Sequence, residues 1–141
     1  MKRALPALVC VALLGVGCQT DDPTQNPSSI PTTPVNPTVE NFAGTVSVKG
    51  SDTKPFTVVF GGGTLTVTLV SVTPATQMSV SVGAFDSTGA CSPVTNGTTI
   101  AGPSPTPPLA GTVPAGNYCL IVADAGSQTA SVAYTATVTH Y

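Results

Sequence analysis

Residues 64–69 read Thr64-Leu65-Thr66-Val67-Thr68-Leu69. Side chains of an extended chain alternate between its two faces, so Leu65, Val67 and Leu69 share one side and the threonines the other. Such period-two alternation marks a strand with one face buried. Further stripes lie downstream. Met78, Val80, Val82 and Ala84 alternate with Ser79 and Ser81; Tyr118, Leu120 and Val122 form a third stripe, and Val132, Tyr134, Ala136 and Val138 a fourth. Residues 44–49 and 55–60, with shorter stretches at 98–101 and 109–113, are further strand candidates. Turn signals separate them at Gly50-Ser51-Asp52, Gly61-Gly62-Gly63, Ser87-Thr88-Gly89, Pro114-Ala115-Gly116 and Ala125-Gly126-Ser127. Asn96-Gly97 also reads as a turn, because the pair favours left-handed dihedrals. The four prolines of 102–108 (GPSPTPP) make that stretch a loop or an edge crossing. No segment from residue 19 onward keeps a helical period. The pattern predicts an all-β chain, with a single antiparallel β-sandwich of seven or eight short strands over residues 41–141.

Composition agrees. Threonine and valine suit pleated, half-buried surfaces, while glycine and proline punctuate turns. From residue 18 onward, Lys49 and Lys54 stand against Asp21, Asp22, Glu40, Asp52, Asp86 and Asp124, a net charge of −4. Two cations cannot make the basic stripe that nucleic acid requires, so no nucleic-acid partner is expected.

At the N-terminus, Lys2 and Arg3 precede an apolar run from Ala4 to Val16 that ends at Gly17-Cys18. The run has thirteen residues, interrupted by Pro6, whereas a spanning helix needs about 20. Residues 1–17 are therefore read as an export signal rather than a permanent span. Val16-Gly17-Cys18 resembles the lipobox of bacterial lipoproteins, although Gly15 stands where that family usually has leucine. The resemblance implies that Cys18 becomes the lipidated N-terminus, carrying a diacylglycerol and usually a third, palmitate-type chain. The alternative is ordinary cleavage after Gly17, with Gly15 and Gly17 as the small residues. Gln19 rather than Asp after the cysteine implies the outer membrane in Gram-negative members of that family. Residues 18–40 carry five prolines among Thr, Ser and Asn and read as the attachment site followed by a disordered Pro/Thr linker.

Cysteine usage follows from export. Cys10 leaves with the signal and Cys18 is assigned to lipid, leaving Cys91 and Cys119 as an even pair that an oxidising compartment joins. A two-cysteine metal site would lack histidine partners, since His140 is the chain's one histidine.

Catalytic patterns are missing. There is no Gly-x-Ser-x-Gly elbow, His-Glu-x-x-His helix, P-loop or suggestively spaced carboxylate pair. His140, next to the last residue, reads as a frayed surface side chain. General acid–base chemistry therefore has no players, and neither catalytic activity nor a cofactor is expected. Asp52, Asp86 and Asp124 each sit beside a turn. Calcium takes about six to eight oxygen ligands, and aspartates in turns usually bond their own backbone, so no metal site is expected. The chain has no tryptophan, and the alternation points Phe56, Tyr118 and Tyr134 inward. That leaves Phe42, Phe60, Phe85 and Tyr141 as candidates for exposure, a poor platform for glycans.

The order of these motifs resembles the bacterial pre-peptidase C-terminal domain family. Gly44-Thr45-Val46 looks like its opening strand and Lys54-Pro55-Phe56-Thr57-Val58 its second, while Gly62-Gly63-Thr64-Leu65-Thr66-Val67-Thr68-Leu69 matches its third. Pro114-Ala115-Gly116-Asn117-Tyr118-Cys119-Leu120-Ile121-Val122 resembles its Pro-x-Gly-x-Tyr strand, and Tyr134-Thr135-Ala136-Thr137-Val138 its last. Gln77 and Ser79 replace an acidic pair frequent in the family, and only Glu40 and Asp52 stand where some relatives bind calcium. The resemblance implies a β-sandwich with an accessory or binding role.

The expected protein is thus a monomeric, non-catalytic lipoprotein of the bacterial cell envelope. A lipid anchor is its membrane contact, and an extracytoplasmic sandwich serves as a structural, adhesive or binding module for a protein or polymer. The alternative is an accessory or substrate-binding domain working with a separately encoded secreted hydrolase.

Overall fold

The computed structural model describes residues 35–141; the signal segment 1–17, Cys18 and the linker as far as residue 34 lie outside the described residues. Eight strands follow in order: β1 (Thr38–Val46), β2 (Ser51–Val58), β3 (Thr64–Thr73), β4 (Met78–Phe85), β5 (Cys91–Ala101), β6 (Leu109–Thr112), β7 (Gly116–Asp124) and β8 (Val132–His140). They form two four-stranded antiparallel sheets, β1-β8-β3-β6 and β2-β7-β4-β5. This is a β-sandwich with the strand order of an eight-stranded jelly roll. The pairing is nested: β4 with β5, β3 with β6, β2 with β7 and β1 with β8. Only β4 and β5 are joined within one sheet; every other connection crosses between the sheets.

The four stripes read from sequence are the inner faces of β3, β4, β7 and β8. Leu65, Val67, Leu69, Met78, Val80, Val82, Tyr118, Leu120, Val122, Val132, Tyr134, Ala136 and Val138 are all buried, joined by Val46, Phe56, Val58 and Val72. Tyr118 keeps its ring in this core while its hydroxyl donates to the Pro114 carbonyl at 3.0 Å. A turn proline and a core tyrosine are thereby tied together, as a buried phenol requires a partner.

β3 carries a bulge just beyond the stripe at 65–69, and two local readings change. In β3, Leu69 pairs with Ala136 and Ser71 with Thr135, leaving Val70 as an extra residue, 55% exposed. This bulge shifts the inward parity by one, so Val72 is the next buried residue. Asn96-Gly97 is not a turn between strands. β5 runs from Cys91, and while β4 advances from Ser81 to Gly83 its partner moves from Thr98 to Pro93, so residues 94–97 form a bulge with Asn96 at φ 58°. Asparagine tolerates the left-handed region for this purpose as well as in a hairpin. Finally, β1 starts at Thr38, inside the stretch read as linker, and the first turn is Ser47–Gly50, closed by Gly50 N–H donating to Ser47 O at 2.8 Å. Ser51 and Asp52 already belong to β2.

Candidate functional site

β5 and β7 lie on either side of β4, and the disulfide Cys91–Cys119 joins them across it with Cα atoms 6.4 Å apart. Tyr118 and Leu120 face the core, so Cys119 between them points to the outer face, where it is nevertheless fully buried. Its register partner in β4 is Gly83. A Cβ on Gly83 would lie 2.7 Å from Cys91 Sγ, 2.9 Å from Cys119 Sγ and 2.7 Å from the Ser92 carbonyl oxygen. The glycine is the gap through which the bridge passes. Cysteine count predicted the pair, whereas nothing in the alternating stripe marked Gly83.

The aspartates at the turns do not converge. Asp86 accepts from Thr88 N–H at 2.8 Å, Thr88 Oγ1 at 2.6 Å and Ala90 N–H at 3.0 Å, holding the β4–β5 turn. Asp124 accepts from Lys49 N–H at 2.8 Å, Gly126 N–H at 2.7 Å and Gln128 N–H at 3.2 Å, tying the β1–β2 turn to the β7–β8 loop. Asp52 accepts from the Tyr134 hydroxyl at 3.0 Å and pairs with Lys54 at 3.2 Å. It fills a notch left by Gly44, where a Cβ would run into the Asp52 carboxylate and the Tyr134 ring. Burial, reinforced by the hydrogen bond to anionic Asp52, pushes the Tyr134 phenol well above its ordinary value. Among the described residues no three His, Cys, Asp or Glu side chains gather into a metal-binding group.

Donated hydrogen bonds hold two carboxyls below the ordinary range: chiefly the Thr88 hydroxyl at Asp86, and the Lys49 amide at Asp124. A depressed folded value means that the associated stability is complete above the ordinary aspartate range near about 4 and is lost as pH falls through the lower folded values. Thermal melts scanned downward from neutral pH should hold their midpoint and then drop in that acid window. Asp124→Asn keeps one acceptor oxygen but cannot gain the charge, and should flatten the drop.

His140 is not frayed. It pairs with Thr38 across the β1–β8 ladder, is 2% exposed, and its ring lies tilted against Phe56 with centroids 5.7 Å apart. Its Nε2–H donates to the Glu40 carboxylate at 2.9 Å. The early start of β1 is the physical reason: residues 38–40 cover the chain end that sequence proximity to the terminus suggested was loose. His140→Ala should lower stability by about 2 kcal/mol, from lost ring burial and the stranded hydrogen bond. Urea unfolding of the variant checks this, and an unchanged midpoint would return the residue to the surface.

At the opposite margin, β5 and β6 are the edge strands of the two sheets and leave a cleft of about 150 Å³ between them. Leu65 and Val82 form its floor, Val94, Leu109 and Val113 its walls, and the Asn96-Gly97 bulge one rim. No titratable side chain lines it. Ligand pockets for drug-sized molecules run to about 300–1,000 Å³, so this cleft fits one aliphatic side chain or a comparable group. Sequence reasoning missed it, because its lining comes from β3, β4, β5, β6 and the loop after β6 and not from any one motif. No family model matches this chain, and no curated protein matches it in sequence.

Proposed function

We propose that this protein is a non-catalytic lipoprotein of the bacterial cell envelope whose sandwich works outside the cytoplasm as a structural, adhesive or binding module. The observation that carries the reading is the way polar chemistry is distributed. Asp52, Asp86, Asp124, Glu40 and His140 are each engaged in holding strands or turns, while the cleft between β5 and β6 is apolar. General acid–base catalysis needs a titratable group within reach of a substrate, and this cleft offers shape instead. The signal features at residues 1–18 and the oxidised cysteine pair support a place outside the cytoplasm.

Intact mass of the membrane-extracted protein tests the anchor. A chain beginning at an acylated Cys18 is the expected result, and an unacylated chain with the same start would overturn it. Affinity capture with the extracted protein tests the role. Envelope proteins or polymers are expected partners, reduced by Leu109→Lys in the cleft wall. Capture of a secreted hydrolase would favour the second reading, an accessory domain of the pre-peptidase C-terminal kind, for which the cleft offers a seat for one substrate group.

A further inference from the structure

The two sheets end in four edge strands, β1 and β6 in one and β2 and β5 in the other. An edge exposes unpaired backbone donors and acceptors, and proteins usually blunt it with prolines, bulges, lysines or shortness. Three of the four are blunted here. β2 carries Pro55 at mid-strand with Lys54 beside it. β5 carries Pro93 and the 94–97 bulge. β6 has four residues between Pro108 and Pro114. β1 has none of these devices: nine residues, unbroken register against β8, no proline and no lysine. Among the described residues nothing pairs with its other edge. Its outer face, Val39, Asn41, Ala43 and Thr45, is uncharged and exposed.

We propose that the β1 edge pairs antiparallel with β1 of a second copy of this chain, joining two four-stranded sheets into one of eight. A two-fold at Phe42 uses all nine residues, Thr38 opposite Val46 through to Val46 opposite Thr38, and sets the two Phe42 rings face to face. In this register Glu40, the one charged residue of β1, stands opposite Gly44 and not opposite itself. The self-complementary edge fits the isologous contact that a two-fold demands. The chain's own leading segment is a poor occupant, because Pro23, Pro27, Pro31, Pro34 and Pro37 interrupt any ladder it might add. Its length suits the dimer. Nine paired residues separate the two Thr38 ends by about 30 Å. The twenty residues from Cys18 to Thr38 reach about 70 Å when extended, so both copies can sit on one membrane. That last point rests on the lipid anchor; the pairing itself does not.

The test is cross-linking of the full chain in isolated membranes. Across a two-fold at Phe42, the Cβ atoms of residue 43 in the two copies are diagonal neighbours about 7–8 Å apart. Ala43→Cys with a short bismaleimide should therefore give a covalent dimer. Thr53→Cys on the β2 edge should give none. Thr45→Lys in the Ala43→Cys chain should weaken the cross-link, and Ala43→Lys with Thr45→Lys, which sets like charges at the diagonal position 43, should convert the detergent-extracted protein to monomer in sedimentation with cooperative unfolding retained. Absence of cross-linking at position 43, equal cross-linking at 53, or a dimer that survives both lysines with an intact fold would each overturn the proposal. These readouts are independent of the partner capture that tests the functional reading.

Discussion

Removal of the Cys91–Cys119 bridge is expected to lower the stability of this domain by about 3–4 kcal/mol, the chain-entropy value for a closed loop of this size. The bridge spans 28 residues. For a domain of roughly this size each kcal/mol moves the midpoint by about 4 °C, so the melting temperature should fall by about 12–16 °C. Calorimetry of Cys91→Ala with Cys119→Ala checks the figure without reductant. A drop below about 3 °C would mean that the unfolded chain already keeps these strands together. The same experiment reaches Gly83. With the bridge in place, Gly83→Ala drives a methyl group against two sulfurs and a carbonyl oxygen, an overpacking that costs about 1–3 kcal/mol or more. Without the bridge the sulfurs are gone, and part of the cost should vanish as a coupling of about 0.5–3 kcal/mol. An undiminished cost would place the clash on the Ser92 carbonyl alone.

Tyr134→Ala should be as severe, at about 3–5 kcal/mol, the range for deleting a large buried ring. Tyr134 is 2% exposed and is the largest of the fully buried side chains. Its ring lies beside the backbone of Gly44, and its hydroxyl reaches Asp52 on the other sheet. The deletion opens a cavity and also unties the two sheets where they meet at β1 and β2. Tyr134→Phe separates the two effects: it keeps the ring, loses the hydrogen bond, and should cost about 1 kcal/mol. Denaturant unfolding of both variants measures the difference. Near-equal losses would show that the hydroxyl, and not the ring, dominates.

The architecture was legible wherever one face of a strand is buried along its whole length. Leu65, Val67 and Leu69 announce β3 because water is on one side of it and core on the other. The signal fades where that contrast fades. At Val70 a second valine two positions on hides the bulge, since either Val70 or Val72 satisfies a hydrophobic pattern. Residues 91–97 carry no stripe because edge strand β5 is mostly half-buried or exposed there. His140 looked loose because its cover, residues 38–40, lies about a hundred positions away in a stretch that composition assigned to linker. The cysteine pair could be counted, but the glycine that lets it close could not, since its requirement exists only once β4 lies between β5 and β7. The cleft has the same character: its six apolar side chains come from four strands and the loop after β6 and share no local pattern.

The nested pairing sets a schedule for biosynthesis. The innermost pair, β4 with β5, is complete once residue 101 has emerged, but β1 must wait for β8, which is complete only at His140. The first strand made is therefore the last to find its partner, and its unblunted edge is exposed throughout that interval. Loss of β8 alone would leave β1 without its ladder partner, although the two lie at opposite ends of the domain's sequence.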